Sequence, residues 1–408
     1  MRILIINLYA GAPSMGMEYR PYYLANYWKK AGHKVLVVTA SHHHLRSKQF
    51  ESVKDIKKQN VDGIDYLVFK TPDYSRNTIK RVLNIFAFLR KLSTSKKRIA
   101  AEFNPDIVIA SSTFVFDIYS AKKIASICNS KLVFEVCDLW PLSIIELGGF
   151  SKWHPFIMAM QMAENYAFKH TDKVVTVLPE AKEYMVEHGL KPEKFIYVPN
   201  GIVVEDWNIE IEIPHWLNEL ILKIKLQKKK IIGYAGNHGV ANALFPLIDA
   251  MQILQNDNVV LFLIGRGQEK ENLKQKVKQY NLNNVHFIDP LPKTFIPALL
   301  DKLDILYIGL QNQPVFRFGI SPNKLMDYMM AGKPIIQAIK AGNDITTEAK
   351  CGISIEPENT RAIADAVQYL LSLSDEELME LGENGRRFCL KYHDYQILSK
   401  KFLDAVSN

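Results

Sequence analysis

Short apolar runs alternate with longer amphipathic stretches along the first half of the chain. The runs are rich in β-branched residues and predict buried strands. These strands are placed at 2–8, 34–39, 66–69, 107–110, 131–136 and 173–177. Apolar residues recur at helical spacing between them, at 19–31, 116–128 and 155–169. The alternation is typical of βαβ units and predicts a parallel sheet with helices on both faces.

A second α/β pattern begins at 229–236. It continues through apolar runs at 259–264, 285–287, 305–308 and 334–337. Turn residues at 197–201 and a lysine-rich amphipathic stretch at 214–230 separate the two patterns. The fold class predicted is therefore α/β, with two doubly wound, Rossmann-like domains facing across a cleft. They comprise residues 1–205 and 206–385, and a final helical stretch at 386–408 is expected to pack back on the first domain. Ligands bind such sheets at the carboxyl ends of strands, where the strand order reverses.

The bulk composition is that of a globular protein, with 408 residues, 48% hydrophobic and 23% charged. No run approaches the roughly 18 apolar residues that a membrane-spanning helix needs. The apolar run at 1–8 lacks a cleavage site, and we interpret it as a first strand rather than a signal peptide. This predicts a cytoplasmic location. The four cysteines form no Cys-x-x-Cys pair, which indicates reduced, mostly buried thiols.

The net charge of +8 favours polyanionic neighbours. The segment 76–98 carries basic residues and no acid, interleaved with apolar residues. Such a segment suits peripheral docking on the anionic inner face of the plasma membrane. It is equally typical of a solvated helix whose apolar face packs on its own domain. Nucleic-acid binding is not predicted, because no recognised module accompanies the charge.

The segment 318–336 is the most informative for chemistry. Gly319 lies in a loop, Ser321 and Pro322 have the residue types of an N-cap and a first helical residue, and Gly332 ends the short helix. A helix start offers backbone N–H groups and a partial positive charge, which suit a pyrophosphate.

Two side chains of this helix add to the prediction. Lys324 in the first turn supplies a full positive charge, and Asp327 one turn later is placed to accept a hydrogen bond from a ribose hydroxyl. Many capped helices bind no ligand, so the pattern alone leaves a purely structural helix open.

This segment resembles that of the GT-B glycosyltransferases of family 4, in which Glu-x7-Glu precedes apolar residues, Gly and Pro. Asp327 stands at the second acidic position and 331–334 reads Ala-Gly-Lys-Pro. Gly319 stands where the first Glu belongs, a residue that normally contacts donor-sugar hydroxyls. The form Gly-x-Ser-Pro-Asn-Lys-Leu is similar to a bacterial surface-polysaccharide subgroup that includes L-fucosamine transferases. That likeness implies an N-acetylated or deoxy sugar donor.

Further segments match the same family, in the same order along the chain. They are the glycine-containing loop at 10–20, Gly-His-x-Val at 32–35, Pro-Asn-Gly at 199–201, Tyr-x-Gly at 234–236 and Gly-x-Gly at 265–267. The order and spacing across two domains make the resemblance specific. It implies an acceptor-binding first domain and a second domain that binds a nucleotide sugar.

The resemblance and the helix argument together predict the donor contacts. These are Gly16, Asn237, Gly239, Arg266, Gly319, Ser321, Asn323, Lys324, Leu325 and Asp327. The commonest family pattern has Arg directly after Tyr-x-Gly and Lys about five residues later, where this chain has Asn237 and Asn242. The diphosphate charge must then be met by Lys324, the helix start and Arg266. Alternatively, 237–239 is only a tight turn.

Asp138 and Trp140 follow the strand at 131–136 and therefore lie at its carboxyl end. A carboxylate holds sugar hydroxyls and an aromatic ring stacks on a sugar face, so Asp138 is the preferred catalytic residue and Trp140 an acceptor contact. A helix cap is the rival interpretation of Asp138. Glu18 is the second catalytic candidate, and Arg20 in the same loop is a further acceptor-binding candidate.

No metal or cofactor is predicted besides the nucleotide-sugar substrate. Three adjacent histidines at 42–44 cannot all face one ion, and we predict a solvated turn there. The chain has no Asp-x-Asp motif. The resemblance implies UDP as the default nucleotide, a retaining reaction, and a lipid-linked or oligosaccharide acceptor. Alternatives are a sugar-nucleotide epimerase or phosphorylase on the same scaffold, and a non-catalytic partner of a polysaccharide assembly.

Overall fold

The computed structural model describes residues 1–16, 19–44, 46–51, 54–74, 79–208 and 211–407. The described chain divides into two compact units. Unit 1 comprises Met1–Pro199 and Tyr395–Asn408, and unit 2 comprises Asn200–Asp394. The sequence pattern predicts that the first domain ends at residue 205 and that the chain packs back on it from residue 386. In the structure the first segment of unit 1 ends at Pro199 and its second segment begins at Tyr395.

Unit 1 contains the following elements in chain order. They are β1 (Arg2–Ile6), α1 (Arg20–Lys30), β2 (Lys34–Ala40), β3 (Ile56–Val61), β4 (Ile64–Phe69), α2 (Ile79–Phe103), β5 (Ile107–Ala110), α3 (Ile118–Cys128), β6 (Lys131–Val136), α4 (Leu142–Gly148), α5 (Pro155–His170), β7 (Lys173–Thr176), α6 (Lys182–Glu187) and β8 (Phe195–Tyr197).

The unit 1 sheet has the strand order β3-β4-β2-β1-β5-β6-β7-β8 within the described residues. Its strands pair in parallel except β3, which runs antiparallel to β4. The inner strands are apolar because helices cover both faces. The strand β3 is not predicted from the sequence, because this edge strand reads Ile-Lys-Lys-Gln-Asn-Val and exposes half of its side chains. An edge strand has one neighbour and carries a weak hydrophobic signal.

Unit 2 contains the remaining elements apart from the last helix. They are α7 (His215–Leu226), β9 (Lys230–Ala235), α8 (Leu244–Ile253), β10 (Val259–Ile264), α9 (Lys270–Gln279), β11 (Val285–Ile288), α10 (Ile296–Asp301), β12 (Ile305–Gly309), α11 (Asn323–Met330), β13 (Ile335–Ala338), α12 (Ile345–Glu348), β14 (Gly352–Ile355), α13 (Thr360–Ser372) and α14 (Asp375–Tyr392).

The unit 2 sheet is parallel, with the order β11-β10-β9-β12-β13-β14 among the described strands. The chain moves outward from β9 in one direction to β11 and then returns to β12 on the other side. The order therefore reverses between β9 and β12, which is where a ligand site is expected. The prediction of two Rossmann-like domains is confirmed.

The final helical stretch is two helices, because the chain is bent at His393 and Asp394. The backbone N–H of Ile202 donates to the carbonyl of His393 at 2.7 Å, and Ile202 forms a bridge with Asp394. The last helix, α15 (Tyr395–Ser407), belongs to unit 1 and packs on α1. There the indole N–H of Trp28 donates to the carbonyl of Ser399 at 2.9 Å.

Candidate active site

Two glycine-containing loops meet at the carboxyl edge of the unit 2 sheet. One follows β9 at 236–239 and the other follows β10 at 265–267. The backbone N–H of His238 donates to the carbonyl of Arg266 at 2.8 Å. Gly265 has φ of +143°, and a Cβ there would lie 1.9 Å from the carbonyl oxygen of Gly236. The two loops therefore pack backbone against backbone, and only glycine fits at 265.

Lys324, in the first turn of α11, reaches the loop that follows β9. Its ammonium donates to the hydroxyl of Tyr234 at 2.8 Å and to the amide oxygen of Asn242 at 2.7 Å. It also lies 4.5 Å from the centre of the Tyr234 ring. The Tyr234 hydroxyl in turn donates to the carbonyl of Asn237 at 2.7 Å. These contacts fix one positive charge beside the two asparagines that replace the usual basic pair.

Burial lowers the pKa of Lys324 to about 7. The hydrogen-bond partners of this ammonium are neutral oxygens, and among the described residues no carboxylate forms an ion pair with it, so the desolvation of the charge is not offset. An anion at this position would restore the charged form. The arrangement suits a diphosphate, because phosphate oxygens are strong acceptors for charged donors.

The start of α11 differs from the prediction. The helix begins at Asn323 with Pro322 as its N-cap, and no side chain caps it. Ser321 is therefore not the N-cap, which corrects the sequence interpretation. Its hydroxyl oxygen accepts a hydrogen bond from the backbone N–H of Asn200 at 2.8 Å. The residue ties the loop to another segment of unit 2 instead of to its own helix.

Asp327 also has a partner that the sequence does not reveal. Its carboxylate oxygens lie 2.5 and 2.6 Å from the ammonium of Lys293. The carboxylate is buried, with 8% exposure. A ribose hydroxyl would have to share this carboxylate with Lys293, so the predicted sugar contact of Asp327 stays a prediction.

The other predicted donor residues of unit 2 fall into two groups. The side chains of Asn237, Arg266 and Asn323 are exposed at the loops and at the start of α11. Leu325 is buried in the core, and its backbone N–H donates to the carbonyl of Pro322 at 3.0 Å. Leu325 therefore supports the helix from inside.

Three glycines were also predicted to contact the donor. Gly319 has φ of +98° at the end of a short 3₁₀ turn. Gly239 precedes another such turn at Val240–Asn242. Gly16 has φ of +91° but belongs to unit 1. None of these contacts with a donor is tested by the geometry, and all three stay predictions.

A pocket in unit 1 lies at the carboxyl edge of its sheet and contains Asp138 and Trp140. Asp138 and the neighbouring Cys137 are both exposed to solvent. Desolvation by the surrounding protein raises the pKa of the Asp138 carboxyl above its ordinary value. The polar interaction with the Trp140 indole acts in the opposite direction and is the smaller effect. The Trp140 ring packs against Phe114, with 5.6 Å between ring centres. An acidic group next to an aromatic wall can hold a sugar hydroxyl and a sugar face.

Arg20 lines the same pocket but is buried. Its Nε donates to Glu135 at 2.9 Å, and its terminal nitrogens donate to the carbonyls of Pro199 and Val198. Burial would lower the pKa of Arg20, yet the Glu135 carboxylate raises it overall. These contacts connect α1 to Val198 and Pro199, where the first segment of unit 1 ends. The acceptor-binding role of Arg20 stays a prediction.

Two carboxylates that line this pocket, Glu135 and Glu164, are not predicted from the sequence. Glu135 accepts hydrogen bonds from Arg20 and, at 2.5 Å, from the hydroxyl of Ser111. The feature of the sequence that could have indicated Glu135 is an acidic residue inside the otherwise apolar strand Lys-Leu-Val-Phe-Glu-Val. Glu164 lies on the buried face of α5, which is the equivalent signal on a helix.

Two other predictions concern the first unit. Glu18, the second catalytic candidate, lies outside the described residues. The expected solvated turn at 42–44 is wrong for His43, which is fully buried and lies 2.8 Å from the carbonyl of Tyr9. Burial lowers the pKa of His43 to about 2, so the ring is neutral. Within the described part of the chain, no group of three or more His, Cys, Asp or Glu residues is placed to hold a metal ion.

Both halves of the chain match models of known families. Residues 15–206 match Glycosyltransferase Family 4, and residues 219–388 match Glycosyl transferases group 1. The two matches together cover most of the chain. The two models and the relatives below together support a family 4 glycosyltransferase, which is the class of enzyme expected from the sequence.

Relatives with full-length matches support this assignment. The chain is 22% identical to the putative colanic acid biosynthesis glycosyl transferase WcaI of Escherichia coli K12, and the match covers 100% of both chains. Its fold resembles sucrose-phosphate synthase from Thermosynechococcus elongatus, with a TM-score of 0.76, 16% identity, and coverage of 99% and 97%. It also resembles Anabaena HepE, solved with UDP and glucose, with a TM-score of 0.69, 16% identity, and coverage of 100% and 99%. These likenesses identify the fold as GT-B.

Proposed function

We propose that the protein transfers a sugar from a nucleoside diphosphate sugar, with the diphosphate bound beside Lys324. The observation that carries the proposal is the position of the Lys324 ammonium, held by Tyr234 and Asn242 at the start of α11. A positive charge and the N-terminus of a helix together match a diphosphate. Arg266 is exposed on the neighbouring loop and is proposed as a second contact.

In the proposed reaction, the bond between C1 of the sugar and the diphosphate oxygen breaks, and its electron pair leaves with the diphosphate. Lys324 and the helix N-terminus stabilise that developing charge, which is the main catalytic contribution. The acceptor hydroxyl oxygen forms the new bond to C1 and loses its proton to a carboxylate. Asp138 and Glu18 are the candidates for that carboxylate. Retention at C1 is the expected outcome.

Substrates are proposed from the similar proteins and the sequence motif. HepE is solved with UDP and glucose, which supports UDP as the nucleotide. WcaI carries colanic acid biosynthesis in its name, which supports a role in a bacterial surface polysaccharide such as O-antigen or capsule. We propose an N-acetylated or deoxy hexose as the sugar and a lipid-linked or oligosaccharide acceptor. No metal or other cofactor is part of the proposal.

The proposed place of action is the cytoplasmic face of the plasma membrane, where lipid-linked acceptors are available. No helix in the described residues combines the length and the apolar character needed to cross a bilayer. The basic segment 76–98, of which residues 79–98 are described, is proposed to contact that membrane face.

The decisive experiment is a thermal-shift screen against UDP, GDP and ADP and their common sugars. A ligand that binds only the folded protein raises the melting temperature. We expect a UDP-sugar to raise it in the wild type and in Lys340→Ala, an exposed lysine of unit 2. Lys324→Ala should abolish the shift without loss of the folded state. An unchanged shift in Lys324→Ala would exclude the proposed diphosphate position.

Turnover distinguishes transfer from the other reactions. Donor incubated alone should remain largely intact, and addition of a saccharide acceptor should release the nucleoside diphosphate. An epimerised donor in the absence of acceptor would instead indicate a sugar-nucleotide epimerase. Tight nucleotide binding without any transfer would indicate a non-catalytic partner.

A further inference from the structure

Helix α2 buries one apolar stripe and exposes another. Ile85, Phe88 and Leu92 face the interior of unit 1, so part of the helix packs on its own domain. A second stripe lies in solvent, at Ile79, Val82, Leu83 and Phe86, of which Ile79 is 81% and Phe86 63% exposed. The spacing i, i+3, i+4, i+7 places these four side chains on one face of the first two turns.

A second exposed apolar surface joins α4 to α5. All residues from 147 to 156 are exposed, and they include Leu147, Phe150, Trp153 and Phe156. The surface continues on the outer face of α5 with Met158 and Met162. Trp153 is 72% and Met162 69% exposed. Isolated exposed apolar residues are ordinary, but a continuous group of aromatic and thioether side chains marks an interaction surface.

Both surfaces lie at the same edge of unit 1. Helix α3 contacts α2 on one side and α5 on the other, so the three helices form one layer. Helices α2 and α3 directly follow β4 and β5, so their first turns lie at the carboxyl edge of the parallel sheet. Helix α5 leads directly into β7, so its last turn lies at the opposite edge and its first turn points back to the carboxyl edge. The segment between β5 and α3 connects them, since Phe116 lies 6.2 Å from Phe156 and the Arg81 guanidinium lies 5.5 Å from Phe114. The pocket with Asp138 and Trp140 opens at this edge.

The charges around the two surfaces are mainly positive, and the half-buried Glu146 of α4 lies at the border of the second one. No Asp or Glu occurs from 79 to 98 or from 147 to 162. Lys80, Arg90 and Lys152 are exposed beside the apolar side chains. Glu164, the next acid along α5, is buried and hydrogen-bonded to Tyr184. A face that combines apolar insertion with positive charge complements an anionic lipid leaflet.

We propose that the exposed stripe of α2 and the exposed surface of α4 and α5 together dock unit 1 on an anionic bilayer. Trp153 and Phe150 would occupy the headgroup region, where aromatic rings are favoured, and Met162 and Phe86 would insert below it. This docking brings the pocket of Asp138 and Trp140 to the level of the headgroups. The inference rests on the proposed function, because it explains how a lipid-linked acceptor would reach that pocket.

The test is cosedimentation of the full chain with phosphatidylglycerol/phosphatidylethanolamine vesicles and with phosphatidylcholine vesicles. We expect binding to the anionic vesicles that weakens as salt screens the charges. The double variant Trp153→Ser/Met162→Ser should bind at least about tenfold more weakly, because binding scales with the buried apolar area. Trp216→Ser is the matched control, since Trp216 is 53% exposed on α7 of unit 2. It should bind as the wild type does.

A direct probe is quenching of tryptophan fluorescence by brominated lipids. Wild-type fluorescence should be quenched on anionic vesicles, and Trp153→Phe should lose most of the quenched fraction while it still binds. Quenching that persists in Trp153→Phe would overturn the proposed orientation. Equal vesicle binding by the wild type and the double variant, or no binding by either, would overturn the docking surface.

Two measurements separate this proposal from the proposed function. A UDP-sugar should raise the melting temperature of the double variant as it does that of the wild type, because the altered side chains belong to unit 1 and Lys324 belongs to unit 2. Vesicle binding without any nucleotide binding would leave the docking surface valid and reject sugar transfer. Concentration-dependent self-association that Trp153→Ser abolishes, without lipid binding, would show an interface between two copies and reject the bilayer.

Discussion

The hydroxyl oxygen of Ser321 accepts a hydrogen bond from the backbone N–H of Asn200 at 2.8 Å, and the side-chain amide of Asn200 donates to the carbonyl of Ser321 at 2.6 Å. Asn200 is the first residue of unit 2. The ring of His393, close to the end of the unit, lies 2.9 Å from the carbonyl of Asn200. The loop that precedes α11 is therefore fixed by the two ends of its own unit.

This pair gives a first prediction. Ser321→Ala and Asn200→Ala each remove one hydrogen bond, worth about 1 kcal/mol. We expect the donor dissociation constant to rise about fivefold in each variant, with little change in melting temperature. Isothermal titration with a UDP-sugar is the measurement. Ser372→Ala is the control, because it removes a hydrogen bond of similar length at the exposed end of α13 in the same unit. An unchanged affinity in both variants would show that the loop needs no such support.

Lys324 gives the second prediction. The pKa of the ammonium is lowered to about 7 by burial, so the charged form that binds a diphosphate declines as the pH rises through that value. We expect kcat/KM for the donor to fall above pH 7, since this ratio reports groups of the free enzyme. Lys324→Ala should reduce kcat/KM about 100- to 1000-fold.

The variant Lys324→Arg is the specific control for that prediction. A guanidinium stays charged throughout the accessible pH range. The variant should therefore keep part of the activity and lose the decline above pH 7. A decline that persists unchanged in Lys324→Arg would assign the titration to another group.

The fold is largely predictable because the buried strands of a parallel sheet are apolar along their whole length. The strands at 107–110, 131–136 and 259–264 have the predicted limits. The edge strand β3 is polar and partly exposed to solvent, so the apolar pattern that identifies the inner strands is absent from its sequence, although it pairs with β4. The bend at His393 depends on a hydrogen bond to Ile202, which is remote in sequence.

The sequence predicts which segments form the candidate site, but it does not predict which side chains contact each other there. The position of Lys324 in the first turn of a helix follows from the local sequence. Its contact with Asn242 and the ion pair of Asp327 with Lys293 depend on loops from distant strands. The contact with Asn242 also gives a physical reason for the unusual asparagines. Lys324 approaches from the helix side and brings a charge to the loop that lacks the family's basic pair.

Glu164 gives the third prediction. The carboxyl is buried, accepts hydrogen bonds from Tyr184 at 2.9 Å and from Gln161 at 2.8 Å, and burial raises its pKa to about 8. A carboxyl whose folded-state pKa is raised contributes stability that is complete below its unfolded pKa and lost as the pH rises through the folded pKa. We expect the melting temperature to fall between about pH 4.5, the ordinary pKa of a glutamate, and about pH 8, with part of the fall removed in Glu164→Gln. Glu183→Gln, an exposed acid on α6, should retain the whole fall. Identical pH profiles for the wild type and Glu164→Gln would show that this carboxyl is ionised throughout.

The close approach of the two loops at the unit 2 sheet edge gives the last prediction. A methyl group at Gly265 would lie 1.9 Å from the carbonyl oxygen of Gly236, so Gly265→Ala must separate the loops that follow β9 and β10. Gly32→Ala is a matched control, because Gly32 also has a positive φ, +85°, but a methyl group there meets nothing within 4 Å. The control should lose about 1–2 kcal/mol of unfolding free energy from backbone strain alone. Gly265→Ala should lose more than this in urea unfolding, and it should also lose affinity for the UDP-sugar, which the control keeps. If the two variants were equally stable and bound the donor equally well, the contact between the loops would not define the site, and the diphosphate would have to be held by α11 alone.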